Sequence, residues 1–267
     1  MITFDGLTAA RFLSREKRFT VHAELADGTR VLAHTNNTGR LTGSVHPGCR
    51  CWLSPAANPR RKLPWSLEVS EAPAWPRGVS GSNLVDLEAD PVALGDPIPA
   101  PGRVLVGVNT MAPSRLVSSA IDDGLLPLLQ DCKVERAEVQ YPAGLADGSR
   151  ADLLLRDEVG DPVWVEIKNV SLVREGVACF PDAPTSRGLK HLKDLATCVE
   201  AGHRTALVFC VQRGDADLVT AADDIDPAYA EGLKHAARSG VQIMGIGIDV
   251  TTLRLKPTHP LPVEVSP

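Results

Sequence analysis

Residues 150–172 read RADLLLRDEVGDPVWVEIKNVSL, and this stretch decides how the second half of the chain folds. Two β-prone runs, RADLLLR and VWVEIKNV, flank the turn-forming residues DEVGD, a pattern that predicts an antiparallel hairpin. Asp152 lies in the first run, and Glu166 and Lys168 lie two residues apart in the second. Because residues two apart point to the same face of a strand, an acid and a base share one face, with another acid one strand away.

These charged side chains predict a metal-dependent site. Two converging carboxylates repel each other unless a cation shares them, and a hard divalent ion such as Mg²⁺ or Mn²⁺ takes oxygen ligands of this kind. Asp152 and Glu166 would hold the metal, the carbonyl of Ile167 could add a ligand, and Lys168 could orient an attacking water or neutralise developing charge. Glu138, in the preceding run RAEVQY, is a candidate third carboxylate.

An ordinary surface salt bridge is the alternative interpretation of Glu166 and Lys168, and an ordinary exposed strand residue is the alternative for Glu138. The apolar neighbours of the Glu-x-Lys pair argue that one face of its strand is buried. Charges in such a strand need partners or a ligand, which favours the site.

The chain beyond residue 110 alternates between helical and strand patterns. APSRLVSSAIDDGLL and two segments, Thr185–Ala201 and Pro227–Ser239, have helical spacing, and Gly202 and Gly240 follow the latter two. RTALVFCV is continuously apolar, as in a strand covered on both faces. With the strand VQIMGIGID, the order predicts an α/β (α+β) domain with a mixed sheet.

The N-terminal part has a different texture. About five short β runs lie between residues 7 and 70, and Asp27-Gly28 separates two of them as a hairpin turn would. This predicts an OB-like β-barrel. We therefore expect an OB-like nucleic-acid-binding domain at 1–73, a Pro/Gly-rich insertion or linker at 74–102, and an α/β domain at 103–267.

Four regions carry residues suited to binding phosphate. SREKRF and NPRRKLPW each set basic residues beside an aromatic ring, which suits single-stranded nucleic acid on an OB-like surface, and TNNTGRLTG is dense in amides and hydroxyls. The predicted helix from Thr185 begins with cations, which a bound phosphate would explain; Asp182 and Thr185 are candidates to cap it. Scattered surface charge is the alternative for the two basic clusters, a turn-rich connection for TNNTGRLTG, and a solvated helix face for the helix start. The candidates are Lys17, Arg18, Asn37, Arg60, Arg61, Lys62, Arg187, Lys190 and His191.

Composition sets broad limits. The 267 residues are 43% hydrophobic and carry a net charge of −5, which argues against a surface coated in positive charge but permits a local basic patch. The six cysteines show no zinc spacing, and we expect buried thiols. The sequence shows neither a signal peptide nor a membrane span, so we expect a cytoplasmic protein without a membrane partner; a homodimer is compatible with the sequence.

Several motifs resemble the sugar fermentation stimulation protein A family over about residues 5–260: HTNNTGRLTG, RRKLPWSLEV, VGVNTMAPSRLV, SRADLLL, VEIKNVSLV, FPDAPTSRGLKHL and ADDIDPAYAEGL. The resemblance implies an N-terminal OB-like domain, a C-terminal domain similar to the PD-(D/E)xK nucleases, DNA binding, and a link to the regulation of sugar utilisation in bacteria. It maps the nuclease-like motif onto Asp152, Glu166 and Lys168, and a recurrent acidic position onto Glu138. The Pro-rich stretch departs from the family pattern.

Two functions remain open from the sequence. The intact acid, acid-x-lysine set favours a Mg²⁺- or Mn²⁺-dependent nuclease acting on DNA, single-stranded nucleic acid or RNA. The alternative is a non-catalytic DNA-binding regulator that retains a nuclease-like fold, because fold alone does not establish a reaction.

Overall fold

The computed structural model of the protein describes residues 1–58, 60–75, 94, 96–142, 144–146 and 148–265. In the N-terminal domain the strands follow the order β4-β3-β2-β5-β6-β7, and β4 also pairs with β6, so that five strands close into a barrel. The OB-like barrel predicted from the sequence is confirmed. The five strands of the closed barrel are β2 (Thr8–Glu16), β3 (Thr20–Leu25), β4 (Arg30–His34), β5 (Arg50–Pro55) and β6 (Trp65–Pro73), and β7 (Arg103–Gly107) extends the sheet from β6.

Strand β7 corrects the predicted domain boundary. The sequence interpretation began the second domain at residue 103, but β7 pairs antiparallel with β6, from Val69 opposite Gly107 to Pro73 opposite Arg103. Val106 packs in the barrel core. An apolar run predicts a strand but does not name its partner, which here lies across the Pro-rich segment. Most of the predicted 74–102 insertion, namely residues 76–93 and 95, lies outside the described residues.

The C-terminal domain is built on a seven-stranded mixed sheet with the order β1-β16-β15-β13-β10-β9-β8, in which β10, β13 and β15 are parallel and the remaining pairs antiparallel. Residues 2–3 belong to this sheet because β1 pairs with β16. The strands are β1 (Ile2–Thr3), β8 (Lys133–Gln140), β9 (Arg150–Arg156), β10 (Pro162–Val170), β13 (Arg204–Val211), β15 (Gln242–Val250) and β16 (Arg254–Leu261).

A second, four-stranded sheet packs beside the first, in the order β11-β12-β14-β17. Its strands are short, and none of them was predicted from the sequence. They are β11 (Leu172–Arg174), β12 (Val177–Phe180), β14 (Leu218–Ala221) and β17 (Val263–Glu264).

Three α-helices cover the seven-stranded sheet: α1 (Ala112–Asp122) on one face, and α2 (Ser186–Glu200) and α3 (Pro227–Ser239) on the other. Thr185 caps α2 by accepting a hydrogen bond from the amide of Gly188 (3.0 Å), as predicted. Asp182 does not cap this helix; its carboxylate accepts the amide of Leu41 in the barrel (2.8 Å). No helix in the described part of the chain is long and apolar enough to span a membrane.

Strand β13 shows why the sheet is buried on both sides. Ala206, Val208 and Cys210 pack toward α1, whereas Leu207 and Phe209 pack toward α2 and α3. Both faces of a central strand therefore need apolar side chains, as the unbroken run RTALVFCV predicted. All six cysteines are buried free thiols, also as predicted.

Buried polar contacts fix the two domains against each other. Arg213 is 3% exposed. It donates to the carbonyls of Gly43 (3.3 Å) and Pro73 (3.2 Å) in the N-terminal domain. It also donates to the carbonyl of Ser171 (3.0 Å) and to Asp215 in the C-terminal domain. A buried guanidinium with several acceptors rigidifies the junction, since moving it would leave those carbonyls unpaired.

Candidate active site

Three carboxylates form a row across strands β8, β9 and β10. The β9–β10 register places Trp164 opposite Leu154 and Val165 opposite Leu153, and one step further sets Glu166 opposite Asp152. The β8–β9 register places Ala137 and Val139 opposite Leu153 and Ala151, so Glu138 lies opposite Asp152. The hairpin predicted from residues 150–172 therefore forms, and it brings the predicted acids together.

Asp152 lies where β9 and β10 begin to separate. Its Oδ2 accepts a hydrogen bond from the backbone N–H of Ile167 at 2.6 Å. This N–H lies beyond the last paired residues of the two strands, so the carboxylate replaces a backbone carbonyl as its acceptor. Burial raises the pKa of Asp152 to about 7, and the charges of Glu166 and Glu138 add to the rise. Near neutral pH the negative charge on Asp152 is therefore not fully stabilised by the surrounding protein groups.

Glu166 and Lys168 are a buried pair on the face of β10 that looks toward α2. Glu166 is 3% exposed and Lys168 is 8% exposed. Lys168 Nζ donates to Glu166 Oε1 at 2.7 Å. Burial raises the pKa of Glu166, but Lys168 and His191 outweigh burial and hold it below its ordinary value. The other oxygen, Oε2, is buried and has no hydrogen-bond partner among the described residues.

His191, one of the predicted nucleic-acid contacts, is instead part of this cluster. It lies on α2, is 9% exposed, and contacts Glu166 Oε1 through Nδ1. Arg187, one helical turn earlier, donates to His191 Nε2 at 3.3 Å. Lys168 Nζ lies 3.4 Å from the same Nδ1, so the three side chains form one buried cluster. Arg187 is exposed at the surface above.

Glu138 occupies the outer end of the carboxylate row. It is exposed, and its φ is +55°, a left-handed conformation that non-glycine residues rarely adopt. Strain of this kind in a strand persists only where the surrounding structure imposes it, and it is often found near functional sites.

Among the described residues, no group of three or more His, Cys, Asp or Glu side chains could hold a metal ion.

A cavity of about 380 Å³ lies between the barrel and the C-terminal domain, and Lys168 reaches it. We call it the interdomain cleft. Its lining includes Arg18, Asn37, Lys168, Phe180, Asp182 and Arg187.

The remaining predicted nucleic-acid contacts differ in how available they are. Asn37 lines the cleft but is 7% exposed, and its amide bonds Val108 and Gly39 of its own domain. Arg61 donates to the carbonyls of Leu63 and Trp65 and so braces its own loop. Lys190 bonds Asp194 (2.9 Å) and Ser149. Four others have exposed side chains: Lys17, Arg18, Arg60 and Lys62.

The sequence interpretation did not identify Asn169, which lines the cleft, or Arg15, which supports one of its walls. Arg15 donates to the carbonyls of Gly39 (2.9 Å) and Asn37 and thereby holds the loop that lines the cleft. Asn169 follows Lys168 and accepts a hydrogen bond from Gln212 (2.7 Å). Arg15 belongs to the basic run SREKRF, whose charge predicted a ligand contact but not a structural one.

Comparisons with known proteins agree with this architecture. A family described as "Sugar fermentation stimulation protein RE domain" matches residues 111–254, and one described as "SfsA N-terminal OB domain" matches residues 13–78. SfsA from Pyrococcus furiosus, solved in complex with Ca²⁺, superposes with a TM-score of 0.78 over 98% of both chains at 24% identity.

Two bacterial relatives are similar over nearly their whole length. The sugar fermentation stimulation protein homolog of Rhodospirillum centenum is 42% identical over 259 residues, which cover 93% of this chain and 97% of the relative. The homolog of Halorhodospira halophila is 40% identical over 261 residues, with 97% and 95% covered. The two family models match the barrel and the mixed sheet in the same order as in the chain, and the relatives match along almost the whole of it. This chain is therefore a member of the sugar fermentation stimulation protein family.

Proposed function

We propose that this protein is a divalent-cation-dependent nuclease that binds DNA and hydrolyses its phosphodiester bonds at Asp152, Glu166 and Lys168. One observation carries the proposal: two adjacent carboxylates each keep a feature that a bound cation would satisfy. Asp152 has a pKa of about 7, and Glu166 has a buried oxygen without a hydrogen-bond partner among the described residues. A structural ion pair would leave neither feature in place.

The donor set fits a hard cation such as Mg²⁺ or Mn²⁺. Asp152 and Glu166 would hold it, with the Ile167 carbonyl as a further oxygen donor, and Mg²⁺ commonly keeps several waters when proteins supply few ligands. The bound cation would supply Lewis-acid activation of a phosphoryl oxygen and of a water. The Ca²⁺ complex of the Pyrococcus furiosus protein supports a divalent cation.

Lys168 is the residue we assign to the attacking water and to charge on the phosphate. Glu166 accepts a hydrogen bond from Lys168 Nζ at 2.7 Å and so fixes the position of the lysine. Lys168 lines the cleft and can therefore donate to a ligand bound there. A fixed cation at this position stabilises the negative charge that develops during hydrolysis. Glu138, opposite Asp152 and exposed, is proposed as an outer carboxylate that interacts with cation-bound water.

The exposed basic residues around the cleft support DNA as the partner. Arg18 belongs to the barrel and Arg187 begins α2, so the cleft has an arginine on each side. Lys17 lies beside Arg18, and Arg60 and Lys62 lie elsewhere on the barrel surface. Cations on the barrel and at the start of α2 would contact successive phosphates of one strand, despite the negative net charge of the chain.

The test is a cleavage assay on labelled single-stranded and double-stranded DNA and on RNA, with Mg²⁺, with Mn²⁺ and with a chelator. We expect metal-dependent cleavage of DNA, and a fall of about 10²- to 10⁴-fold in rate for Lys168→Ala. Lys256→Ala is the matched control, because Lys256 is an exposed lysine on β16.

Absence of metal-dependent cleavage of every substrate would reject the nuclease. If DNA binding persisted in that case, the non-catalytic DNA-binding regulator would replace it. Equal rates for the wild type and Lys168→Ala would reject the role assigned to this lysine.

A further inference from the structure

The interdomain cleft has Lys168 in its lining. One wall is the barrel loop around Asn37–Gly39, and the other is the segment Phe180–Arg187 that leads into α2. Gly39 permits this close approach, because a Cβ there would lie 2.6 Å from Asp182 Oδ1. The cleft is therefore built by contacts between the two domains.

The size of the cleft limits what can enter. Its volume of about 380 Å³ lies near the lower end of the range for small-molecule sites, about 300–1,000 Å³. A B-form duplex is wider than its major groove of about 12 Å, so it would lie across the mouth of such a cavity and not inside it. One nucleotide unit of a flexible strand is of suitable size.

The depth of the reactive groups strengthens this limit. Lys168 lines the cleft and is only 8% exposed, so a phosphodiester must enter the cleft to contact it. A phosphate fixed in an intact duplex cannot leave the helix surface by itself, whereas an unpaired nucleotide can turn about its backbone into a pocket.

The charge of the cleft suits a phosphate. Arg18 lies at one wall and Arg187 at the other, with Lys168 between them. The carboxylate on the wall, Asp182, is occupied by the amide of Leu41 (2.8 Å), and it also interacts electrostatically with Arg15.

An aromatic surface adjoins the same wall. Phe19 follows Arg18 directly and is 45% exposed, and its ring stacks on His34 with centroids 6.2 Å apart and an angle of 14° between the planes. The carbonyl of Phe19 accepts the amide of Thr35 (3.0 Å), which fixes the backbone at Phe19 to a point two residues before the cleft residue Asn37. An exposed aromatic face held rigidly beside basic groups is the usual platform for an unpaired base.

We propose that the interdomain cleft takes an unpaired nucleic-acid strand, with one base stacked on Phe19 and a neighbouring phosphate inserted between Arg18, Arg187 and Lys168. The substrate class of the proposed nuclease is then single-stranded DNA, or an unpaired segment within a duplex, rather than continuous double helix. The inference rests on the proposed function for the position of the reacting bond. The binding preference itself can be measured without cleavage.

The experiment measures binding of the full-length protein by fluorescence anisotropy, in chelator and at one fixed salt concentration. The probes are a single strand of about 16 nucleotides, the blunt duplex of the same sequence, and that duplex with an unpaired overhang. We expect the single strand and the overhang to bind at least about tenfold more tightly than the blunt duplex. Phe19→Ala should weaken single-strand binding about five- to a hundredfold and leave duplex binding unchanged.

Two further variants separate stacking from loss of folding. Phe19→Trp should retain single-strand binding because it keeps an aromatic face. Val159→Ala, at an apolar side chain that is 82% exposed in the β9–β10 turn, should bind like the wild type. A blunt duplex that binds as tightly as the single strand, or a Phe19→Ala protein that binds normally, would overturn the inference. Single-strand preference without any cleavage would reject the nuclease and leave the inference standing.

Discussion

Two buried ion pairs, one in each domain, differ in how completely their charges are satisfied. In the barrel, Arg50 donates to both oxygens of Glu71 (2.5 and 3.1 Å), and Glu71 also accepts the amide of Ala100 (2.9 Å). In the C-terminal sheet, Lys168 and His191 share one oxygen of Glu166, and the other oxygen has no partner among the described residues.

The difference separates a structural pair from a candidate site. Arg50 continues to the carbonyls of Asp96 (2.9 Å) and Ile98 (2.8 Å), so the Arg50–Glu71 pair anchors the chain where it returns from the Pro-rich segment. Around Glu166 both donors contact the same oxygen, and a second acid, Asp152, lies beside it. Burial disfavours the charged carboxylate in both places. The barrel pairs both oxygens of its carboxylate, whereas the C-terminal site leaves Glu166 Oε2 without a partner among the described residues and Asp152 with a raised pKa.

The largest expected effect on folding is therefore in the barrel. Arg50→Ala leaves Glu71 buried without its guanidinium, and we expect a loss of about 3–5 kcal/mol in the free energy of unfolding. Urea titration followed by circular dichroism measures this loss. Arg30→Ala is the control, because Arg30 is 80% exposed and 3.7 Å from Glu24; it should cost less than about 1 kcal/mol. Similar losses for both variants would contradict the structural role of the Arg50–Glu71 pair.

A smaller effect, of opposite sign, is expected at Asp152. Folding raises its pKa from 3.8 to about 7, so the folded protein holds a proton that the unfolded chain releases between these values. Stability from this residue is present below about pH 4 and is lost as the pH rises to about 7. Asp152→Asn should thus stabilise the metal-free protein at about pH 8, by about 1–4 kcal/mol, and leave it unchanged near pH 4.

Thermal unfolding in chelator at these two pH values measures the effect. Asp131 provides a control of opposite sign, because its hydrogen bond with Arg204 lowers its pKa to about 2. Its stabilisation is present above its ordinary pKa and is lost as the pH falls toward 2, so Asp131→Asn should destabilise at neutral pH. An Asp152→Asn protein less stable than the wild type at about pH 8 would show that the carboxylate is satisfied in the folded state.

The smallest effect is expected at His191. His191→Gln removes the ring that bridges Glu166 and Arg187, and losing such a supporting contact typically costs about 10- to 100-fold in activity. Because His191 is buried, we expect kcat to fall while KM and DNA affinity stay unchanged. His235→Gln, at an exposed histidine of α3, is the control. A rise in KM with constant kcat would instead support the phosphate contact predicted from the sequence.

Local patterns in the sequence predicted much of the second domain. The hairpin around Asp152, the apolar strand β13 and the helices α2 and α3 follow from periodicity and capping, which involve residues close together in the chain. The convergence of Asp152 and Glu166 followed from the hairpin register for the same reason. The family resemblance, independently of these patterns, implied the barrel and the nuclease-like domain.

Long-range pairings lay beyond the sequence. Asp182 has the sequence context of a helix cap, yet it bonds Leu41, 141 residues away. His191 follows Arg187 by one turn, and only the packing of α2 on β10 buries it against Glu166. The apolar pattern of strand β7 fits the barrel sheet and the C-terminal sheet equally well, so the sequence alone did not show that β7 pairs with β6. In each case tertiary contacts decide, and local propensity is silent about them.

The pairing of β1 with β16 sets an order of events during synthesis. Ile2 lies opposite Leu255, so the seven-stranded sheet cannot be completed until the ribosome has passed residue 255. At about 5–20 residues per second, this interval lasts on the order of 10–50 s. The barrel strands all lie between residues 8 and 107 and are available much earlier. We expect the barrel to fold first on the ribosome, while residues 2–3 stay unpaired until β16 has been synthesised.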